Sequence, residues 1–125
     1  MDGLTLDAGA LIAIDRSDRR MTSLLKRARE TDAAVTIPAT ALAQAIRNPQ
    51  RQVRLARILK QPTTTIVSLD QADASLVRRI LPSSGTSDIA DAHVVICAHR
   101  ADQPIVTTDP RDLTAIDPTL TLLTL

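Results

Sequence analysis

Aspartate carries nearly all the acidic charge of this chain: thirteen of fourteen acidic residues are Asp, and Glu30 is the exception. Helix surfaces ordinarily favour Glu, because Asp competes for backbone amides and prefers caps and turns. Four aspartates sit beside apolar segments, where a carboxylate could do chemistry. Asp7 and Asp109 follow the short runs Leu4–Leu6 and Ile105–Thr108, each of which reads as a strand. Asp88 and Asp91 are three residues apart at the head of an apolar helical stretch. That spacing puts both on one face at a helix N-terminus, where the dipole favours negative charge. Asp91 is the sharpest signal, because an unpaired charge in an otherwise apolar helix is expensive. Taken singly, Asp88 also suits a plain first-turn residue, and Asp7 and Asp109 suit turns. Taken together, converging carboxylates repel and take up protons at neutral pH, unless a hard divalent cation holds them. Such a cation lowers the pKa of bound water and polarises a phosphoryl oxygen. The chemistry predicted is metal-dependent hydrolysis of nucleic acid.

Other chemistries fit less well. The three glycines, Gly3, Gly9 and Gly85, are scattered and form no phosphate-cradling loop. His93 and Cys97 share a helix face, but His99 lies far around it and no second cluster completes a zinc site. Cys97 reads as a small buried hydrophobe. Arg47, Arg51, Arg54, Arg57 and Lys60 make a basic stretch. A solvated face is its ordinary reading, and Arg47, Arg51 and Arg54 are candidate RNA phosphate contacts. The chain has no Phe, Trp or Tyr, so base stacking is excluded and recognition would rest on phosphates, shape or structured RNA.

These residues must be positioned by a chain of 125 residues, the size of one domain, with net charge +1 and one cysteine. The reading is one domain, 1–125, with an aliphatic core and no disulfide. No targeting segment or membrane span appears, which predicts a soluble cytoplasmic protein. Strands are expected at Leu4–Leu6, Ala34–Ile37, Thr64–Leu69, Ile105–Thr108 and Leu120–Leu123. Helices are expected at about Ala8–Ile14, Arg19–Glu30, Pro38–Arg47, Pro49–Lys60, Asp70–Leu81 and Asp88–Arg100, with Pro82–Gly85 a loop and Ser87 or Thr86 the last cap. In Pro49–Lys60, Leu55, Ile58 and Leu59 point inward. Alternating strands and helices predict an α/β fold with a mostly parallel sheet, whose ligands sit outside the carboxyl ends of its strands.

Three segments resemble motifs of one family. Leu6-Asp7-Ala8-Gly9-Ala10-Leu11-Ile12-Ala13 is similar to the opening strand and turn of PIN-domain nucleases. Asp88-Ile89-Ala90-Asp91-Ala92-His93-Val94-Val95 resembles their acidic helix, and Ile105 to Leu113, with Thr107-Thr108-Asp109-Pro110, their last strand-end motif. Order, spacing and chain length are most similar to VapC-type toxins. The resemblance implies a PIN-like three-layer α/β/α sandwich with five strands in the order 3-2-1-4-5. It implies cleavage of RNA with Mg²⁺ or Mn²⁺, a cognate antitoxin that neutralises the activity, and a homodimer. Metal would be held by Asp7, Asp91 and Asp109 with help from Asp88; Thr108 and Asp112 are secondary candidates. Many relatives carry Glu where this chain has Gln44, a departure that predicts weaker metal binding and catalysis.

Two competing readings share these features. One is the same fold with weak or lost catalysis, binding RNA or a protein partner. The other is a phosphate-accepting receiver domain, which wants a lysine after the late strands; the only lysines are Lys26 and Lys60.

Overall fold

The computed structural model describes residues 2–86 and 88–125. Its strands are β1 (Gly3–Leu6), β2 (Ala34–Pro38), β3 (Thr64–Val67), β4 (Ile105–Thr107) and β5 (Leu122–Thr124). Between them run α1 (Ala8–Asp15), α2 (Arg19–Glu30), α3 (Ala39–Ala45), α4 (Val53–Leu59), α5 (Gln71–Ser84), α6 (Ile89–Ala101) and α7 (Pro110–Ile116). The strands form one sheet in the order β3-β2-β1-β4-β5, and every pairing is parallel. The result is an α/β/α sandwich, because a parallel sheet must bury both faces under its crossover helices.

The central strand shows that demand most directly: all four residues of β1 are buried. Around it the core is aliphatic, with Leu4, Leu6, Leu11, Ile37, Ile105 and Val106 fully enclosed. α6 is buried on almost every side, from Ala92 to Ala98, and packs on β1, β2 and β4 as well as on α3, α5 and α7. Cys97 lies in that buried run, where desolvation pushes its thiol up to about 11. α4 buries Leu55 and Ile58 and leaves Arg54, Arg57 and Lys60 exposed, as its pattern predicts. No helix among the described residues is long and apolar enough to cross a membrane.

Several boundaries differ from expectation for identifiable reasons. α5 continues through Pro82 to Ser84, where the Ser83 and Ser84 hydroxyls donate to the carbonyls of Ile80 and Leu81. Gly85, at φ +78°, then ends it in the left-handed conformation that glycine tolerates. Pro38 closes β2 and precedes α3 rather than opening the helix. α3 stops at Ala45 and α4 starts at Val53, so Asn48 to Gln52 is a connection. β3 ends at Val67, and β5, at Leu122–Thr124, starts two residues and ends one residue later than expected. α7 was not anticipated: Asp109 caps it and Pro110 occupies its first turn, which turns the apparent strand end into a helix start. Asp88 itself caps α6, with its Oδ1 accepting from the Asp91 amide at 3.1 Å. Thr86 accepts from the Asp88 amide instead of capping, and Ser87 lies outside the described residues.

Candidate active site at the carboxyl end of the sheet

Parallel strands leave their carboxyl ends on one side, and three helices begin there with an aspartate as cap. Asp7 follows β1 and its Oδ1 accepts from the Ala10 amide at 2.9 Å. Asp109 follows β4 by two residues and accepts from the Arg111 amide at 3.3 Å. Asp88 caps α6, and Asp91 stands one turn inside it. Each cap satisfies an amide that the helix leaves orphaned, so local folding and carboxylate placement are the same event.

The electrostatics show which of these groups face one another. Burial, followed by the negative charges of Asp88, Asp112, Asp7 and Asp109, pushes the Asp91 carboxyl up to about 7. Asp7 is 6 % exposed. Burial raises its pKa and Asp109 adds to the rise, while the Thr107 hydroxyl and the Ala10 and Gly9 amides pull it down. Four other aspartates thus bear electrostatically on Asp91. Asp112, exposed in the first turn of α7, belongs to this set. Among the described residues, however, no three His, Cys, Asp or Glu side chains are grouped closely enough to hold a metal ion. The donors are the hard oxygens that Mg²⁺ or Mn²⁺ takes, but they are not drawn into a ready-made shell.

None of the other candidates hydrogen-bonds to these carboxylates among the described residues. Gln44 is exposed on α3, and its backbone carbonyl accepts from Arg47 Nη1 at 2.6 Å. Arg47 and Arg51 line a cleft with Ile12, Asp15 and Gln52, and Arg54 lines a separate groove against α2. Thr108 is exposed, with its side chain over Gly9. A Cβ at Gly9 would overlap Thr108 Oγ1 and meet Thr108 Cβ at 3.3 Å. Gly9→Ala is therefore expected to destabilise by about 1–2 kcal/mol, although alanine is the better helix former. In a Thr108→Ala background that cost should shrink, because only the 3.3 Å contact with the retained Cβ remains. Urea unfolding of both single variants and the double variant measures this; additive effects would show that the two residues do not touch.

Thr107 is the residue that sequence reasoning missed. It is fully buried at the end of β4, and its Oγ1 accepts from the Asp109 amide at 3.0 Å. The register Leu6↔Val106 places it beside Asp7. The Thr107-Thr108 pair was visible, but side chains alternate across a strand, so one uncertain residue at the strand end decides which threonine points in.

No protein-family model matches the sequence, and no curated protein matches it either. Solved structures do resemble it. VapBC2 of Rickettsia felis, bound to a DNA fragment from its promoter, superposes with a TM-score of 0.72 at 16 % identity, over 98 % of each chain. FitAcB of Neisseria gonorrhoeae gives 0.67 at 18 % identity, over 97 % of this chain and 96 % of the other. PAE2754 of Pyrobaculum aerophilum gives 0.65 at 17 % identity, over 97 % and 83 %. The chain has a PIN-like fold.

Within this PIN-like fold a buried polar network braces α6 behind its acidic end. Thr40 Oγ1 and His93 Nδ1 lie 2.7 Å apart, and His93 Nε2, fully buried, has no hydrogen-bond partner among the described residues. Asp73 Oδ2 is 3.8 Å from it, too far for a hydrogen bond. Asp73 is instead held by Arg100 Nη2 at 2.6 Å. Burial lowers the His93 pKa against the opposing charge of Asp73, which keeps the ring neutral. The network ties α3, α5 and α6 together and leaves the carboxylates at one end of α6 free of cationic partners among the described residues.

Proposed function

We propose that this chain is a PIN-fold module that works chiefly by binding, to RNA and to an antitoxin-like protein partner, and that cleaves RNA weakly with a divalent metal. The observation that carries this reading is the acidic centre itself. Burial first, and then the charges of four other aspartates, raise Asp91 to about 7, yet no three of these carboxylates stand as a formed metal group among the described residues. In this reading Asp7, Asp91 and Asp109 would hold Mg²⁺ or Mn²⁺ and Asp88 would assist. Bound there, the cation would supply Lewis acidity toward a phosphodiester and acidify a water molecule. Thr107 steadies Asp7 and the Asp109 backbone, and Gln44 contributes an amide where a carboxylate would add charge. Residues 1–125 act as one domain in the cytoplasm and pair as a homodimer.

A second reading, a fully active endoribonuclease, is favoured by the same mutual repulsion, because a cation would draw the carboxylates together. Cleavage of a panel of structured RNAs, in Mg²⁺ or Mn²⁺ against EDTA, separates the two. Slow metal-dependent cleavage is expected, abolished by Asp91→Asn and raised about tenfold by Gln44→Glu. Fast cleavage that Gln44→Glu leaves unchanged would establish the second reading. Cleavage that persists in EDTA would remove metal from both.

A further inference from the structure

The sheet ends at β5, which pairs with β4 alone and leaves its other edge without a strand partner among the described residues. Thr121 and Leu125 turn their backbone groups toward β4. The Ile105 amide donates to the Thr121 carbonyl at 3.0 Å, and the Leu125 amide to the Thr107 carbonyl at 2.9 Å. Backbone groups alternate sides along a strand, so Leu122 and Thr124 direct theirs to the open edge. Sheet edges are ordinarily blunted by charged side chains, proline or a covering segment. Leu122-Leu123-Thr124-Leu125 has neither charge nor proline. Beside this edge α2 opens a cleft of about 510 Å³, lined by Arg19, Arg20, Leu24 and Arg27 and by Leu122 to Leu125. No acidic side chain lines it, and none of the three arginines, all exposed, is in a salt bridge among the described residues.

We infer that this edge is a docking surface for an extended acidic segment of a partner protein. The segment joins the sheet as a sixth strand, with its carboxylates against the arginines of α2. The inference goes beyond the function proposed above, since neither metal nor RNA enters it. Strand addition takes its affinity from main-chain hydrogen bonds and its specificity from alternate side chains. The unpaired groups of Leu122 and Thr124 match another peptide backbone, whereas a phosphodiester chain has no N–H donors to return. Leu24, Leu122, Leu123 and Leu125 are only partly buried, and a strand laid beside them extends their cover. Arg20 and Arg27 stand two turns apart on one face of α2, so they flank the added strand and select carboxylates on its nearer face. The same charges disfavour a second copy of this chain. Two β5 edges paired antiparallel about a two-fold axis would bring both α2 helices, with their arginines, onto one face of the joined sheet.

The test is fluorescence anisotropy of the full chain with a fluorescein-labelled heptapeptide of alternating glutamate and valine, at ~0.05 M salt. Saturable binding is expected. Arg20→Glu with Arg27→Glu should weaken it by about tenfold or more. Arg78→Glu with Arg79→Glu, exposed residues of α5 outside the cleft, should weaken it by less than about threefold. Backbone pairing is tested from both sides. Thr124→Pro removes an outward N–H that the sheet does not use, and full N-methylation removes the donors of the peptide. Either change is expected to abolish binding, with circular dichroism checking that each variant chain is folded. A methylated peptide that binds as well as its parent would overturn strand addition, as would an α5 pair that costs as much as the α2 pair. No binding of the alternating peptide up to ~1 mM would overturn it too. Hairpin RNA that binds through Arg20 and Arg27 when the peptide does not would overturn it in favour of nucleic acid. A dimer of the free chain that Thr124→Pro dissociates would overturn it in favour of a second copy.

Discussion

Asp91→Asn is expected to stabilise the protein by about 2 kcal/mol near ~pH 8. The carboxyl stands at about 7 in the folded state against an ordinary 3.8. Without screening, that difference amounts to about 4 kcal/mol. Asp91 is partly exposed, and water screens the like charges, so roughly half is retained. The sign follows from proton counting. Between 3.8 and about 7 the folded state holds a proton on Asp91 that the unfolded chain has lost. Stability therefore falls as pH rises through that window, and the whole penalty is present above it. Asparagine keeps the shape without the charge and forfeits only about 0.5 kcal/mol of favourable helix-dipole interaction. Urea unfolding of both proteins at ~pH 8 and ~pH 4 checks this, and the difference should nearly vanish at the lower value. On the proposed metal reading, Mg²⁺ raises the wild-type unfolding midpoint at ~pH 8 and leaves the asparagine variant unmoved. Equal stabilities at both pH values would mean that neither burial nor the neighbouring carboxylates act on Asp91.

Leu11→Ala should cost about 3 kcal/mol, lowering the thermal midpoint by roughly 10 °C for a chain of this size. Leu11 is fully buried in α1, within a core that has no aromatic ring. Branched aliphatic neighbours have few rotamers with which to close a cavity, so most of the lost packing stays lost. The same helix carries the Asp7 cap, and loosening it is expected to erode the acidic centre before the chain unfolds globally. Urea unfolding with an unchanged denaturant slope would report a simple loss of stability. Leu120, only partly buried, serves as the comparison, and its alanine variant should cost less than about 1.5 kcal/mol. A Leu11→Ala cost no greater than that would show that α1 does not close the core.

Periodicity made α2 and α6 legible from the residues alone, and the inward face of α4 though not its start. α2 runs over Arg19–Glu30 as its pattern requires, and α6 is apolar nearly all round because it is buried nearly all round. α7 escaped because Asp109-Pro110, its cap and first residue, reads equally well as a turn closing the strand before it. Thr107 escaped because the face of a strand residue depends on a register that only β1 supplies. The Thr40–His93 and Asp73–Arg100 pairs join residues from three helices whose spacing along the chain predicts no contact.

Residue type and local order were enough to place aspartates at the heads of helices and at strand ends, since capping is a matter of a few neighbouring amides. They were enough, too, for an alternating parallel architecture, because strand and helix periods differ. Tertiary structure alone brought Asp7, Asp88, Asp109 and Asp112 within electrostatic reach of Asp91. It alone put Arg20 and Arg27 of α2 beside the open edge of β5. Charge-charge energy depends on distance and burial, and those are fixed only when the sheet order brings distant segments side by side.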